Sequence, residues 1–241
     1  MQAAGYLAMI LGTASAPLFS RVLGRWAGLA AVAVAILGWL ASTRIEATPQ
    51  AGGTAKANLF FFKDIFKSIK TIHQDAFLAL AVWASAFFLM IAAFIQLNIL
   101  AYGPEHLGMA SQEEATLLFL VVAFGIGSGS LIAGKVSRHS IEFGIVPIGS
   151  GLLALSCIGL WSIPNGAEFM AYVFCLLMGF GAGFFVVPVQ SFLQFRSPPE
   201  KMGEIIAASG WLSWVGVLMA AFLLHLCSAT LAFTAATNFL V

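Results

Sequence analysis

Six side chains in this sequence could recognise a bound molecule: the amides Gln96 and Asn98, the amides Gln190 and Gln194, and the indoles of Trp211 and Trp214. Each sits within a long apolar run, with Ser191, Ser209 and Ser213 close by. Amides both donate and accept hydrogen bonds and an indole donates one, and with the Phe-rich helices around them they suit an amphiphile, polar groups for its headgroup and an apolar wall for its acyl chain. Gln190 and Gln194 are four residues apart and share a face if the run is helical. Amides are unfavourable against hydrocarbon, so they belong on a bundle interior or in a wet cavity. For each one, hydrogen bonding between helices accounts for its presence as well as substrate contact does. Pro188, just before Gln190, is placed to kink its helix and turn backbone carbonyls toward a cavity.

Catalytic chemistry has little to work with. Asp75, Glu113, Glu114, Glu142 and Glu204 all lie near the ends of apolar runs, and His73, His106, His139 and His225 are scattered at the same kind of position. There is no Ser-His-Asp set, no zinc-ligand spacing and no phosphate loop, so an enzyme is disfavoured and neither a metal nor a cofactor is expected. Cys157, Cys175 and Cys227 have apolar neighbours and no paired spacing, which marks them as small core residues.

Two glycine clusters form a second motif. Gly125, Gly127 and Gly129 lie in one apolar run, and Gly179, Gly181 and Gly183 in another two runs later, each a GxGxG that also satisfies GxxxG. A dinucleotide-binding reading needs a preceding strand, a soluble βαβ unit and an acid about twenty residues on, none of which is present. Close helix approach is the better reading, because glycine lets backbones touch and slide. The recurrence also points to a repeated architecture.

The elements that carry these residues must lie in lipid. Of 241 residues 61% are hydrophobic and 9% charged, against roughly 25% charged in a soluble domain. Measured against the ~20 residues that cross a bilayer core, apolar segments run over 2–19, 26–43, 76–101, 115–134, 143–163, 168–194 and 205–225, and an eighth begins near Leu231 and stops in mid-pattern at Val241. The fold expected is all-α and polytopic, with about seven full spans and the start of an eighth. Ala14-Ser15-Ala16 resembles a signal-peptide cleavage site, but MQAAG lacks a basic n-region, so the first segment reads as a membrane helix. Pro198 and Pro199 end one apolar run, and the hinge around them holds Arg196, Glu200, Lys201 and Glu204, the pattern of a membrane hairpin.

Residues 44–75 form the longest polar stretch. The first half, RIEATPQAGGTAKAN, reads as a flexible linker. In the second half Phe62, Ile65, Phe66, Ile69 and Ile72 fall on one helical face and Lys63, Lys67 and Lys70 on another, which predicts an amphipathic helix lying in the interface. If the first span runs outward, Arg44, Lys56, Lys63, Lys67, Lys70, Lys135, Arg138, Arg196 and Lys201 fall on the cytoplasmic side and only Arg21 and Arg25 outside. Nine against two fixes the orientation by the positive-inside rule.

Three runs carry a family resemblance: QLNILAYGPEHLGM from Gln96, LLFLVVAFGIGSGSLIAGKVSRHSIEFGIVPIG from Leu117, and GFFVVPVQSFLQFRSPPEKMGEIIAASGWLSWVG from Gly183. Over roughly residues 76–226 the chain resembles the carboxy-terminal half of a major facilitator superfamily transporter, and more narrowly the bacterial lysophospholipid transporter branch, in which the transporter is sometimes fused to an acyltransferase and acyl-carrier-protein synthetase. The resemblance implies a partial major facilitator fold: helices five to eleven and the start of twelve. On that map residues 1–43 are the last two helices of the N-terminal half, 44–75 a cytoplasmic linker, and 76–241 the C-terminal half, truncated in its last helix. The family's loop signature is degraded: Gly129-Ser130-Leu131 is followed by Lys135 and Arg138 with no Asp, which puts the usual gating ion pair in doubt here.

What the resemblance implies for function is movement of lysophospholipid from the outer to the inner leaflet of a bacterial inner membrane for re-acylation. The implied partners are membrane lipids, the lysophospholipid itself and a fused or separate acyltransferase, with no nucleic acid. The candidate substrate contacts are the six side chains named first, the glycines serve packing and gating, and Lys135, Arg138, Arg196, Lys201 and Glu204 belong to cytoplasmic loops. A proton-coupled exporter of drugs or metabolites and a noncatalytic anchor for an acyltransferase are the competing readings.

Overall fold

Helix boundaries follow local chemistry. Asp75 closes the N-terminus of a long helix by accepting hydrogen bonds from the backbone N–H groups of Phe77 and Leu78, at 3.1 and 3.3 Å. Ser111 opens the next helix in the same way, accepting from Glu114 N, while the Glu114 carboxylate accepts from Ala110 N. This is close to a capping box, two orphan donors satisfied reciprocally. Gly166, at φ +80°, makes the left-handed turn that separates two apolar helices, and Ser197-Pro198 breaks the chain after Arg196.

The computed structural model describes residues 24–44, 61–137 and 142–241. Within them the helices are α1 (Ala27–Ser42), α2 (Phe61–Ile72), α3 (Ala76–Tyr102), α4 (Gln112–Val136), α5 (Ile145–Ser162), α6 (Glu168–Arg196) and α7 (Met202–His225), and no strand occurs among the described residues. The chain is an all-α, polytopic membrane protein. Five segments are long and apolar enough to cross a bilayer: Ala76–Leu107, Glu114–Val136, Ile145–Ser162, Glu168–Arg196 and Pro199–Thr230. They coincide with the last five full spans expected from the sequence. The apolar helix α1, at 16 residues, is shorter, and the segment 2–19, Arg21, residues 45–60 of the linker and Arg138 lie outside the described residues. Beyond Leu231 the chain forms one short 3-10 turn, Thr237–Leu240, that folds back on the bundle.

The spanning helices form two groups. In one, α6 lies between α4 and α5; in the other, α3 packs along α7, with α2 across its start. The glycines set the first group. A Cβ on Gly125 would strike the carbonyl of Leu176, one on Gly129 that of Phe180, and one on Gly179 that of Val122, while Gly183 meets the backbone of Ser130 and Ile126. Contact positions rise together on both helices, so α4 and α6 run parallel with their backbones touching. The middle glycine of the α6 motif turns away from α4: Gly181 and Gly149 of α5 each face the other's carbonyl, at 2.7 and 2.6 Å from an added Cβ. Gly127 is buried. In the second group Gly216 of α7 lies against the Ala86 carbonyl of α3.

Outward faces are apolar, as lipid contact requires. On α3 the exposed stripe is Phe77, Leu80, Trp83 and Phe87. Helix α2 divides its apolar face: Ile72 is buried with Leu78, Leu193 and Ile205, whereas Phe66 remains exposed beside the exposed Lys67 and Lys70. Cys175 and Cys227 are buried and Cys157 half-buried, all three with free thiols. α6 runs without interruption through Pro188.

Candidate functional site

The two helix groups meet along a seam, and a cavity of about 460 Å³ opens in it. Its wall on α3 is a broad helical face, Ser85, Phe88, Leu89, Ile91, Ala92, Ile95, Gln96 and Ile99, which recurs every three to four residues. Across from it α6 presents Met178, Ala182, Val186 and Gln190, each one turn from the next. Phe119, Val122 and Ile126 of α4, Leu153 of α5, and Gly210, Ser213 and Trp214 of α7 complete the lining. Every one of these side chains is neutral.

Gln190 donates from Nε2 to Ser85 Oγ at 2.7 Å, the polar bond that crosses the seam inside the cavity. Just beyond it Phe88 stacks on Phe185, with ring centroids 5.4 Å apart and planes within 12°. Trp214 stands 67% exposed at the cavity mouth. Of the six side chains singled out in the sequence, the cavity brings together Gln96, Gln190 and Trp214. Gln194 lies one turn past Gln190, beyond the cavity end and exposed, because α6 stops at Arg196. Trp211 is half-buried and outside the lining, one residue off the Gly210–Trp214 stripe.

Asn98 is employed elsewhere. It is fully buried, donates to the Ala235 carbonyl at 2.8 Å and accepts from Asn238 Nδ2 at 3.1 Å. Around it the end of α3 is tied down: Tyr102 donates to the Leu160 carbonyl at 2.6 Å, Phe239 packs edge-on against Tyr102, and Glu105 accepts from Ala235 N. These bonds lock the far ends of α3, α5 and the terminal segment into one plug.

The opposite end carries the charges. Arg196 donates from Nε to Asp75 Oδ2 at 2.6 Å, joining the last residue of α6 to the cap of α3. The Arg196 guanidinium holds the Asp75 carboxyl below its ordinary value, with the backbone N–H groups of Leu78 and Phe77 adding to the effect and partial desolvation opposing it. A second hollow of about 330 Å³ lies here, lined by Thr71, Gln74, Asp75, Arg196, Glu200 and Lys201 among others. Lys135 and Glu204 are exposed near this end.

Sequence reasoning passed over Ser85. Its signal was present: Ser85 and Gln96 are three helical turns apart and so project from the same face of α3. Ser213 was noted but not placed in the site, although it is three residues past Gly210 on the cavity stripe of α7. What the sequence lacked was the partner helix that makes either face a wall.

Comparisons with known proteins agree with this architecture. The chain is similar to the protein named lysophospholipid transporter LplT from Yersinia pestis (strain Pestoides F), 27% identical over 131 residues, covering 54% of this chain and 32% of that protein. The corresponding protein of Yersinia pseudotuberculosis serotype O:3 (strain YPIII) matches to the same extent. The matched region thus spans 32% of the length of these curated relatives. No solved structure matches. The profile of the Major Facilitator Superfamily matches residues 1–237. A match of that extent, over a bundle of lipid-facing helices around a cavity lined by neutral side chains, makes the chain a member of the Major Facilitator Superfamily of membrane transporters.

Proposed function

We propose that this chain carries lysophospholipid across a bacterial inner membrane, from the outer to the inner leaflet, where an acyltransferase restores the second chain. The observation that carries the reading is the chemistry of the cavity wall. A single-chain amphiphile needs a long apolar surface and a few neutral hydrogen-bonding groups, and the α3 and α6 stripes supply that combination. The likeness to the Yersinia transporters supports the same substrate class. Residues 1–43 then belong to the N-terminal half of the facilitator fold, 44–75 to the cytoplasmic linker and 76–241 to the C-terminal half. Transport proceeds by rocking of the two halves about a midplane site, as in other transporters built from repeats.

Uptake of labelled lysophosphatidylethanolamine into spheroplasts tests the proposal. Cells carrying the protein should accumulate label in the inner leaflet, and Gln190→Ala should lower that rate about tenfold through loss of one hydrogen bond inside the membrane. Uptake no faster than in cells lacking the protein would refute the substrate.

A further inference from the structure

All but one of the polar groups of the cavity gather at one end. Ser85 and Gln190 are bonded to each other. Gly216 packs on Ala86, and α3 and α7 run parallel, so Ser213 and Trp214 stand within a turn of the same level. This end faces the Asp75–Arg196 pair and Lys201, the side that the positive-inside rule assigns to the cytoplasm. From there Phe88, Leu89, Ala92 and Ile95 of α3 face Ala182, Val186 and Met178 of α6, all apolar. Gln96, about 16 Å farther along α3 at 1.5 Å per residue, is exposed at the other rim.

Resting on the lysophospholipid reading above, we infer that the Ser85–Gln190 pair grips the glycerol segment of the substrate, its free hydroxyl and ester carbonyl, with the acyl chain lying along the apolar stripe toward the opposite end. The argument is one of matching valence. The Gln190–Ser85 bond uses one amide proton and one hydroxyl lone pair, leaving the Gln190 carbonyl, its second amide proton and the Ser85 hydroxyl proton to serve a ligand. A free hydroxyl both donates and accepts, and an ester carbonyl accepts, so two neutral side chains complement them. A phosphate would call for arginine or lysine, and no cation lines this cavity among the described residues. The pair therefore distinguishes a lysolipid from a diacyl lipid, whose second ester has no proton to give.

Trp214, exposed at the polar end, is a built-in reporter of orientation. In the full-length protein, with every other tryptophan replaced by phenylalanine and reconstituted in nanodiscs, lysophosphatidylethanolamines brominated at single chain positions should quench Trp214 in a manner displaced by unbrominated lysolipid. The expected order is strongest quenching next to the ester and weakest at the terminal methyl. The opposite order, with saturable binding intact, would overturn the orientation and leave the transport reading standing. Absence of any displaceable quenching would sink both. A second arm compares lysolipid with its analogue lacking the free hydroxyl. Wild type should bind the analogue about tenfold more weakly, and Gln190→Ala should bind the two alike. A purely structural role for Gln190 predicts weaker binding of both with the tenfold ratio preserved, and that result would also refute the proposal. Ala92→Phe, which fills the apolar stripe, should penalise long chains by about fourfold per methylene excluded and spare short ones. Equal loss at all chain lengths would count against the assigned path of the tail.

Discussion

At the scale of single residues, Asp75 combines two jobs that substitution separates. It caps α3 through backbone N–H groups and pairs with Arg196 at the end of α6. Asparagine keeps a good cap but loses the charge, and alanine loses both. Thermal stability in detergent should therefore fall in the order wild type, Asp75→Asn, Asp75→Ala. The pH dependence has a definite sign. Because the folded-state value is held below the ordinary carboxylate value of 3.8, the charge-dependent stabilisation is fully present above that value and disappears as pH falls through the depressed one. The gap between wild type and Asp75→Asn should stay constant from about pH 8 to about pH 5 and close only in stronger acid. A gap that closes near neutrality would assign the effect to another group. The pair was not anticipated from the sequence, since 121 positions separate its members and only the folded chain brings them together.

Among whole elements, the glycine motifs make the sharpest claim. Gly179 and Gly129 sit where α4 and α6 backbones touch, so a methyl at either has nowhere to go but into a carbonyl of the neighbouring helix. Gly179→Ala or Gly129→Ala should destabilise by about 1–3 kcal/mol, the usual cost of overpacking. Gly134→Ala and Gly203→Ala, which meet open space, should be neutral, and the contrast can be read as unfolding midpoints in mixed micelles. Gly181→Ala should loosen α5 from α6 while leaving the α4–α6 contact intact, to be checked by crosslinking each pair. The plug at the far end gives a separate test. Asn98→Ala leaves Asn238 and the Ala235 carbonyl short of partners inside a dry contact, which costs about 1–3 kcal/mol, and should expose residues 231–241 to hydrogen exchange without altering the cavity wall.

For the molecule as a whole, the arrangement demands two chemically distinct ends. Arg196 is bonded to Asp75, and α2 packs on the start of α7, so the α2 lysines and Lys201 belong to one side. Glu105 and the plug belong to the other, a full length of α3 away. Single cysteines at Lys67 and Lys201 should react with an impermeant maleimide from the same side of sealed vesicles, and one at Glu105 from the opposite side. Labelling of Lys67 and Lys201 from different sides would be incompatible with this topology. The seam between the α4–α5–α6 group and the α3–α7 group is bonded at both ends, by Asp75–Arg196 and by Tyr102–Leu160, and between them by Gln190–Ser85.

Much of this was legible before any fold was known. Apolar run lengths determined the last five spanning helices, because a chain cannot leave backbone polar groups unpaired in hydrocarbon and must stay helical across it. The local signal Pro198-Pro199 set a helix end, and glycine spacing announced close contacts, since these depend only on neighbours along the chain. The partners of those contacts were another matter. That Gln190 would bond Ser85 and line a cavity, that Asn98 would lock a plug and Gln194 fall beyond the site, and that Gly181 would serve α5 while Gly179 served α4, depended on which helix came to lie beside which. Helices in lipid gain nothing from hydrophobic burial against one another, so their pairing rests on shape and a few polar bonds between distant positions. Spacing along one strand of sequence carries no record of them.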